Sequence, residues 1–226
     1  MGDPHGDFEP IIRAVQASPP AAVIILGDMD LDAPLETVLA PIRAETQVFW
    51  IAGNHDGDRD EWYDRLFHSE LAGQDLHGRV VDIAGIRVAG LSGVFRGQVW
   101  HPDLGIKFAR REDYRHAHPK ERWRDGLPRR HRVSIWWEDF ERMADLQADV
   151  LVCHEAPSAH RLGFEAIDEL AALMGVQTIF HGHHHEDYKA SIPAYDIGVY
   201  GVGRAGVTDI EGNVLSPGKS RPPRPV

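Results

Sequence analysis

The sequence predicts an α/β fold, and three observations predict it. Short β-branched runs alternate with stretches of helical spacing along the chain. Each strand-like run hands over to a polar loop at its C-terminal end, where open α/β sheets place their sites. The apolar fraction of 42% over 226 residues fills the core of one compact domain.

The elements follow in order. "AAVIILGD" (21–28) is an apolar run ending in a loop, as a buried strand would be. "PLETVLAPIRAE" (34–45) has helical spacing that Pro41 interrupts. "QVFWIAGNHD" (47–56) repeats the strand-then-loop form, and "DEWYDRLFHSEL" (60–71) reads as a helix. "RVVDIAGIRVAGLSG" (79–93) alternates around a Gly-containing turn, which predicts a hairpin. "WEDFERMADLQ" (137–147) is a helix leading into the strand "DVLVCHEAP" (149–157). "FEAIDELAALMG" (164–175) is a helix stopped by Gly175, and "VQTIFHGHHH" (176–185) is again strand then loop. "AYDIGVYGVG" (194–203) and "GVTDIEGNVL" (206–215) supply closing strands. One domain over 1–215 is expected, followed by a frayed Pro-rich tail over 216–226.

Composition narrows the function. The formal charge of −11 argues against a general nucleic-acid coat or an anionic membrane surface. No run reaches the ~18 apolar residues of a membrane span. The opening "MGDPHGDFEP" has neither the basic end nor the apolar run of a signal peptide. Cys153 is the only cysteine, so no internal disulfide forms and a cytoplasmic location is expected. Residues 96–132 stand apart. They hold 11 of the 24 Lys and Arg against 5 acidic residues, a local +6 beside −17 elsewhere. With weak periodicity, the segment reads as an insertion. It is either a solvated surface or a rim whose Arg forks gather an anionic substrate. Trp136 and Trp137 are expected to pack it onto the core.

The loops carry the chemistry. "FHGHHHEDY" (180–188) places four histidines in five positions. In an extended segment His183 and His185 face one spot and His184 faces away. Asp3 and His5 in "GDPHGD" are likewise two apart, and Pro4 biases Asp3 toward an extended backbone. Asp28 ends another strand, Asn54, His55 and Asp56 follow a third, and His154 a fourth. Carboxylates, imidazoles and one amide without thiolate suit manganese, iron, zinc or similar ions. The supply is enough for two ions sharing one carboxylate. Singly, each Asp is read as a turn or helix cap; jointly, caps have no reason to collect at five strand ends.

Five ordered blocks carry a resemblance: Asp3-Pro4-His5, Gly27-Asp28, Gly53-Asn54-His55-Asp56, His154, and Gly182-His183-His184-His185. They resemble the signature of the calcineurin-like metallophosphoesterase superfamily over roughly residues 2 to 206. The resemblance implies a four-layer αββα sandwich of two mixed sheets flanked by helices. It implies a first ion on Asp3, His5 and His185, and a second on Asn54, His154 and His183, with Asp28 bridging. His55 would stabilise or protonate the transferred group, Asp56 would orient His55, and a hydroxide bridging the ions would attack phosphorus. The implied cofactors are two divalent or trivalent ions, manganese first, with iron, zinc or nickel as alternatives. The implied partner is a small phosphate ester or nucleotide, monoester or diester; from the charge and hydropathy above, no membrane is expected and nucleic acid is disfavoured.

The chain departs from the pattern twice. Only Met1 and Gly2 precede Asp3, so either the true start lies upstream or the family's leading strand is lacking, which would leave neighbouring backbone unpaired. "GDMDLDAP" lacks the Asp-Arg-Gly of the Ser/Thr protein phosphatases and the symmetrical diadenosine tetraphosphatases. The alternatives are a non-catalytic scaffold of the same fold or a phosphatase of narrower specificity. A metallo-β-lactamase motif fails because Tyr188 stands where its last histidine would be, and no histidine follows His185. His181 and His184 are expected to be structural or exposed, Glu155 to point away from His154, and His160 is a weak candidate for substrate contact.

Overall fold

The computed structural model describes residues 1–124 and 126–219. Its strands are β1 (Ala22–Ile25), β2 (Gln47–Trp50), β3 (Val80–Ile83), β4 (Ile86–Leu91), β5 (Trp100–His101), β6 (Gly105–Ile106), β7 (Val150–Cys153), β8 (Thr178–His181), β9 (Tyr188–Ile192), β10 (Ile197–Gly201), β11 (Val207–Thr208) and β12 (Val214–Ser216). Its helices are α1 (Glu9–Ala17), α2 (Leu35–Val38), α3 (Asp60–Phe67), α4 (Arg111–Ala117), α5 (Arg129–Arg132), α6 (Trp137–Ala144) and α7 (Glu165–Leu173). Among the described residues no helix is long and apolar enough to cross a membrane.

Side-chain alternation builds the layers. In β2 and the residues after it, Val48, Trp50 and Ala52 face one cluster with α1, α2 and α3, while Phe49 and Ile51 face a second. In β7, Val150 and Val152 join that second cluster, while Leu151 and Cys153 turn to a third with α6 and α7. The second cluster is therefore the filling between two sheets, and the other two lie under the outer helices. The result is the αββα sandwich. The larger sheet is mixed, in the order β3-β4-β7-β8-β10-β9. Its inner pairs are parallel and its edge pairs, β3·β4 and β9·β10, antiparallel. Leu151 sits opposite both Ala89 and Ile179, so one apolar row crosses the sheet.

The smaller sheet pairs β1 and β2 in parallel. The leading strand is not lacking: Met1 and Gly2 form a stub of it. The Met1 ammonium donates to the Ile24 carbonyl at 2.8 Å, and Leu26 N–H donates to Met1 O at 2.9 Å. On the other side Gly2 N–H donates to Gly206 O at 3.1 Å. Two residues thus satisfy the backbone on both flanks, and Asp3 is fully buried.

Other expectations are corrected. The helix over 34–45 shortens to the single turn of α2, followed by turns from Leu39 past Pro41, because proline cannot donate and blocks the preceding turn. The tail is anchored at its start: Ser216 pairs with Val207, and Gly218 N–H donates to Asp187 Oδ2 at 2.6 Å. The remainder of the tail, from 220 on, lies outside the described residues. The insertion holds β5, β6, α4 and α5 around a small cluster of Val99, Tyr114, Leu127 and Trp136. Trp137 packs on the main core instead, and Arg124 and Arg129 tie the insertion to Asp64 and Asp60 of α3.

Candidate metal centre

Every predicted block arrives at one end of the two sheets. Asp28 follows β1, Asn54 to Asp56 follow β2, His154 follows β7, and His183 and His185 follow β8. Asp3 and His5 follow the N-terminal stub. The side chains of Asp3, His5, Asp28 and His185 offer ligand atoms within 4.8 Å of one another, and so do Asp28, His154 and His183. Asp28 belongs to both groups. Asn54 joins the second, with its Oδ1 3.3 Å from His154 Nε2.

The backbone at these positions is not extended, which corrects the reasoning from alternation. Asp3, His5, Asp28, His183 and His185 have φ of 36°, 45°, 51°, 69° and 60°. Residues two apart face one spot because the chain turns left-handed at each of them. Glycines admit the crowding: a Cβ on Gly53 would lie 2.2 Å from Asp28 Oδ1, and one on Gly182 would lie 2.6 Å from Asp3 Oδ2.

Hydrogen bonds aim the donors. His154 Nδ1–H donates to Leu26 O at 2.7 Å, leaving Nε2 to face Asn54 and Asp28. His5 Nδ1–H donates to Asp30 Oδ2 at 2.8 Å, and its Nε2 lies 3.1 Å from His185 Nε2. A carboxylate that fixes the far nitrogen in this way sets the tautomer and orientation of a ligand imidazole. His183 N–H donates to both Asp3 oxygens at 2.9 and 3.0 Å, locking the histidine loop to the N-terminal loop.

Asp56 does not orient His55. It is buried and accepts from the N–H groups of Asp28, Met29 and Gly53 at 3.0, 2.9 and 2.7 Å. It clamps two ligand loops together, while His55 Nδ1 lies 3.7 Å from Asp30 and 3.6 Å from Asp58. Asp30 is the positioning residue that sequence reasoning missed. Its signal was the spacing in "GDMD", two residues past Asp28. His181 is buried and structural, with Nε2 2.6 Å from the Tyr188 hydroxyl. His184 is half-buried and stacks on His160 at 4.0 Å. Glu155 does serve structure, accepting from Phe95 N–H at 3.1 Å, but it also lies within reach of His183 and His184.

The electrostatics fit cations. Asp3, Asp28, Asp56 and Glu155 are all buried, and among the described residues no Lys or Arg forms an ion pair with any of them. Burial raises Asp3 to about 7, with His154 opposing and Asp28 adding to the rise. Burial also raises Asp56 and Glu155 to about 7. Burial opposes a charge on His154, but Asp28 overcomes it and lifts the imidazole to about 10. Burial, reinforced by His154, lowers His183 to about 3. So many buried carboxylates, set against the neutral imidazole of His183 and the protonated one of His154, form a donor set suited to divalent ions. In the metal-free protein at pH 7 His154 and part of the Asp3 population carry protons, and ions must displace them. Cation binding should therefore release on the order of one to two protons per chain and weaken as pH falls below 7. Calorimetry in buffers of differing ionisation heat measures that release, and zero net release would contradict this electrostatic account.

The sequence model of the calcineurin-like phosphoesterase family matches residues 1–187. A Haemophilus influenzae protein described as uncharacterized is 43% identical over 215 residues, covering 95% of this chain and 94% of its own. The crystal structure of TT1561 of Thermus thermophilus superposes with a TM-score of 0.56 at 13% identity, covering 93% of this chain and 92% of that one. That likeness is one of fold.

Proposed function

Since this chain belongs to the calcineurin-like phosphoesterase family, we propose that it is a dinuclear metal-dependent phosphoesterase of the cytoplasm, acting on a small phosphate ester or nucleotide. The observation that carries the dinuclear reading is the sharing of Asp28 by two ligand groups. In the proposed assignment Asp3, His5 and His185 hold one ion, Asn54, His154 and His183 hold the other, and Asp28 joins them. Manganese is the proposed metal. Bound ions of this kind activate water and offset charge developing at phosphorus.

The protein's own groups do the rest. Asp30 and Leu26 O hold the far nitrogens of His5 and His154, so that both present Nε2 inward. Asp56 fixes the Asp28 and Gly53 backbones at one spacing. His55 lines the pocket above Asp28, and its main-chain N–H donates to Asp28 Oδ1 at 2.8 Å. With Nδ1 turned to Asp30 and Asp58, its Nε2 is the group placed to donate a proton to the leaving oxygen.

Turnover of p-nitrophenyl phosphate and its bis ester, with added manganese, tests this reading. His55→Ala should lower kcat by roughly 10²- to 10⁴-fold while elemental analysis still finds two ions per chain. An inactive wild-type protein that binds no metal would support a non-catalytic scaffold instead.

A further inference from the structure

A further ligand group lies beside the proposed dinuclear centre. Glu155, His183 and His184 offer ligand atoms within 4.8 Å of one another. Of the three, only His183 belongs to the dinuclear assignment. Two imidazoles and one carboxylate are a donor set of open zinc sites, which keep a fourth position for water or substrate.

The fold holds this group in place. Glu155 follows His154 after β7; it is buried, and its Oε1 accepts from Phe95 N–H at 3.1 Å, which leaves the other oxygen for the cluster. His184 N–H donates to Gly182 O at 2.8 Å. Its ring lies on that of His160, with 4.0 Å between centroids and 15° between planes. His184 also lines the cavity over Asp28, Asn54 and His55, so ions from solvent can reach it.

Two observations point to a cation. The Nε2 atom of His184 is buried without a hydrogen-bond partner. The stacked His160 does not supply one: its Nδ1 accepts from Leu162 N–H at 3.2 Å, so its own Nε2 carries the ring proton. His160 therefore backs the His184 ring and is not a ligand. The second observation is that Glu155 is buried and, among the described residues, pairs with no Lys or Arg. A buried carboxylate without a cation and a buried nitrogen without a partner are both unfavourable, and one metal ion relieves both.

We propose that Glu155, His183 and His184 bind a zinc ion as a third metal, with the His183 ring bridging it to the second ion. An imidazole has two nitrogens, and the second ion uses one of them. On bridging, the ring releases its N–H proton to solvent, and each nitrogen gives its lone pair to one ion. Zinc is favoured over manganese at this seat because imidazole-rich sites follow the general affinity order, in which zinc stands well above manganese. The site shares His183 and so rests on the dinuclear reading above.

The test is elemental analysis of manganese-loaded protein dialysed against zinc, with melting curves confirming that each variant is folded. Wild type should hold three ions per chain, and Glu155→Gln and His184→Asn should hold two. Glutamine keeps an acceptor for Phe95 N–H. Diffraction at the zinc absorption edge should place an ion about 2.0–2.2 Å from a Glu155 oxygen and a His184 nitrogen. A wild type that stops at two ions, variants that keep three, or zinc bound away from these side chains would overturn the proposal. If Glu155→Gln fails to fold, the ion count of His184→Asn decides. Protein that binds zinc through Glu155 and His184 but takes up no manganese would sink the dinuclear reading and leave the zinc site standing.

Discussion

Asp28→Asn is expected to abolish ester hydrolysis, with a loss on the order of 10³-fold or more. Metal-ion charge stabilisation supplies several kcal/mol to such a transition state, and each 1.4 kcal/mol or so is tenfold in rate. Asp28 is the one side chain common to both ligand groups, so its charge is missed twice. Asparagine keeps an oxygen that can accept from His55 N–H, the bond Asp28 makes at 2.8 Å. The fold should therefore survive, and the melting curve of the metal-free variant serves as control. Bound metal should fall from two ions per chain to one or none. A variant that retained two ions and normal turnover would show that the clusters do not depend on a shared ligand.

Asp56→Ala should give the largest loss of stability. Three buried N–H groups, from Asp28, Met29 and Gly53, converge on this one carboxylate. Removing it orphans all three and loosens the spacing between two ligand loops. Breaking a buried charged network costs about 3–5 kcal/mol. Burial and the neighbouring Asp28 raise the Asp56 carboxyl to about 7, so part of the population is protonated at neutral pH. The lower end, about 3 kcal/mol, is expected, which lowers the melting temperature by roughly 6–12 °C in a chain of this size. Thermal denaturation of metal-free protein measures it. The contrast with His55→Ala matters: that variant should lose rate and keep its melting temperature. If Asp56→Ala melted like wild type, the clamp assignment would be wrong.

Much of this was legible in the sequence. Apolar runs packed between layers, such as "VLVC", buried at every position, and "AVII", buried at alternate ones, announce themselves by composition. The residues that gather at the site could be named because their side-chain types are costly to bury without a cation. What alternation could not show was the backbone that presents them. Left-handed φ at His183 and His185 brings both inward, and an extended chain gives the same facing for the wrong reason. The role of Asp56 was misread because a carboxylate beside a histidine suggests a side-chain partner, whereas its true partners lie 27 and 28 residues away in "GDM". The stub before Asp3 was hidden because its pairing is with 204–206, contacts that no local pattern encodes. Helix α1 and edge strand β9 went unread: Pro10 sits in the first turn of the helix and Pro19 and Pro20 follow its end, and the strand is half polar.

Five of the seven proposed ligand residues sit at positive φ without being glycine. Each such residue costs roughly 1–2 kcal/mol relative to an ordinary backbone. Heat resistance and chemistry are therefore opposed at the same five positions. A laboratory selection that rewarded only survival at high temperature would be drawn to glycine there, relaxing the chain and deleting a ligand with every gain.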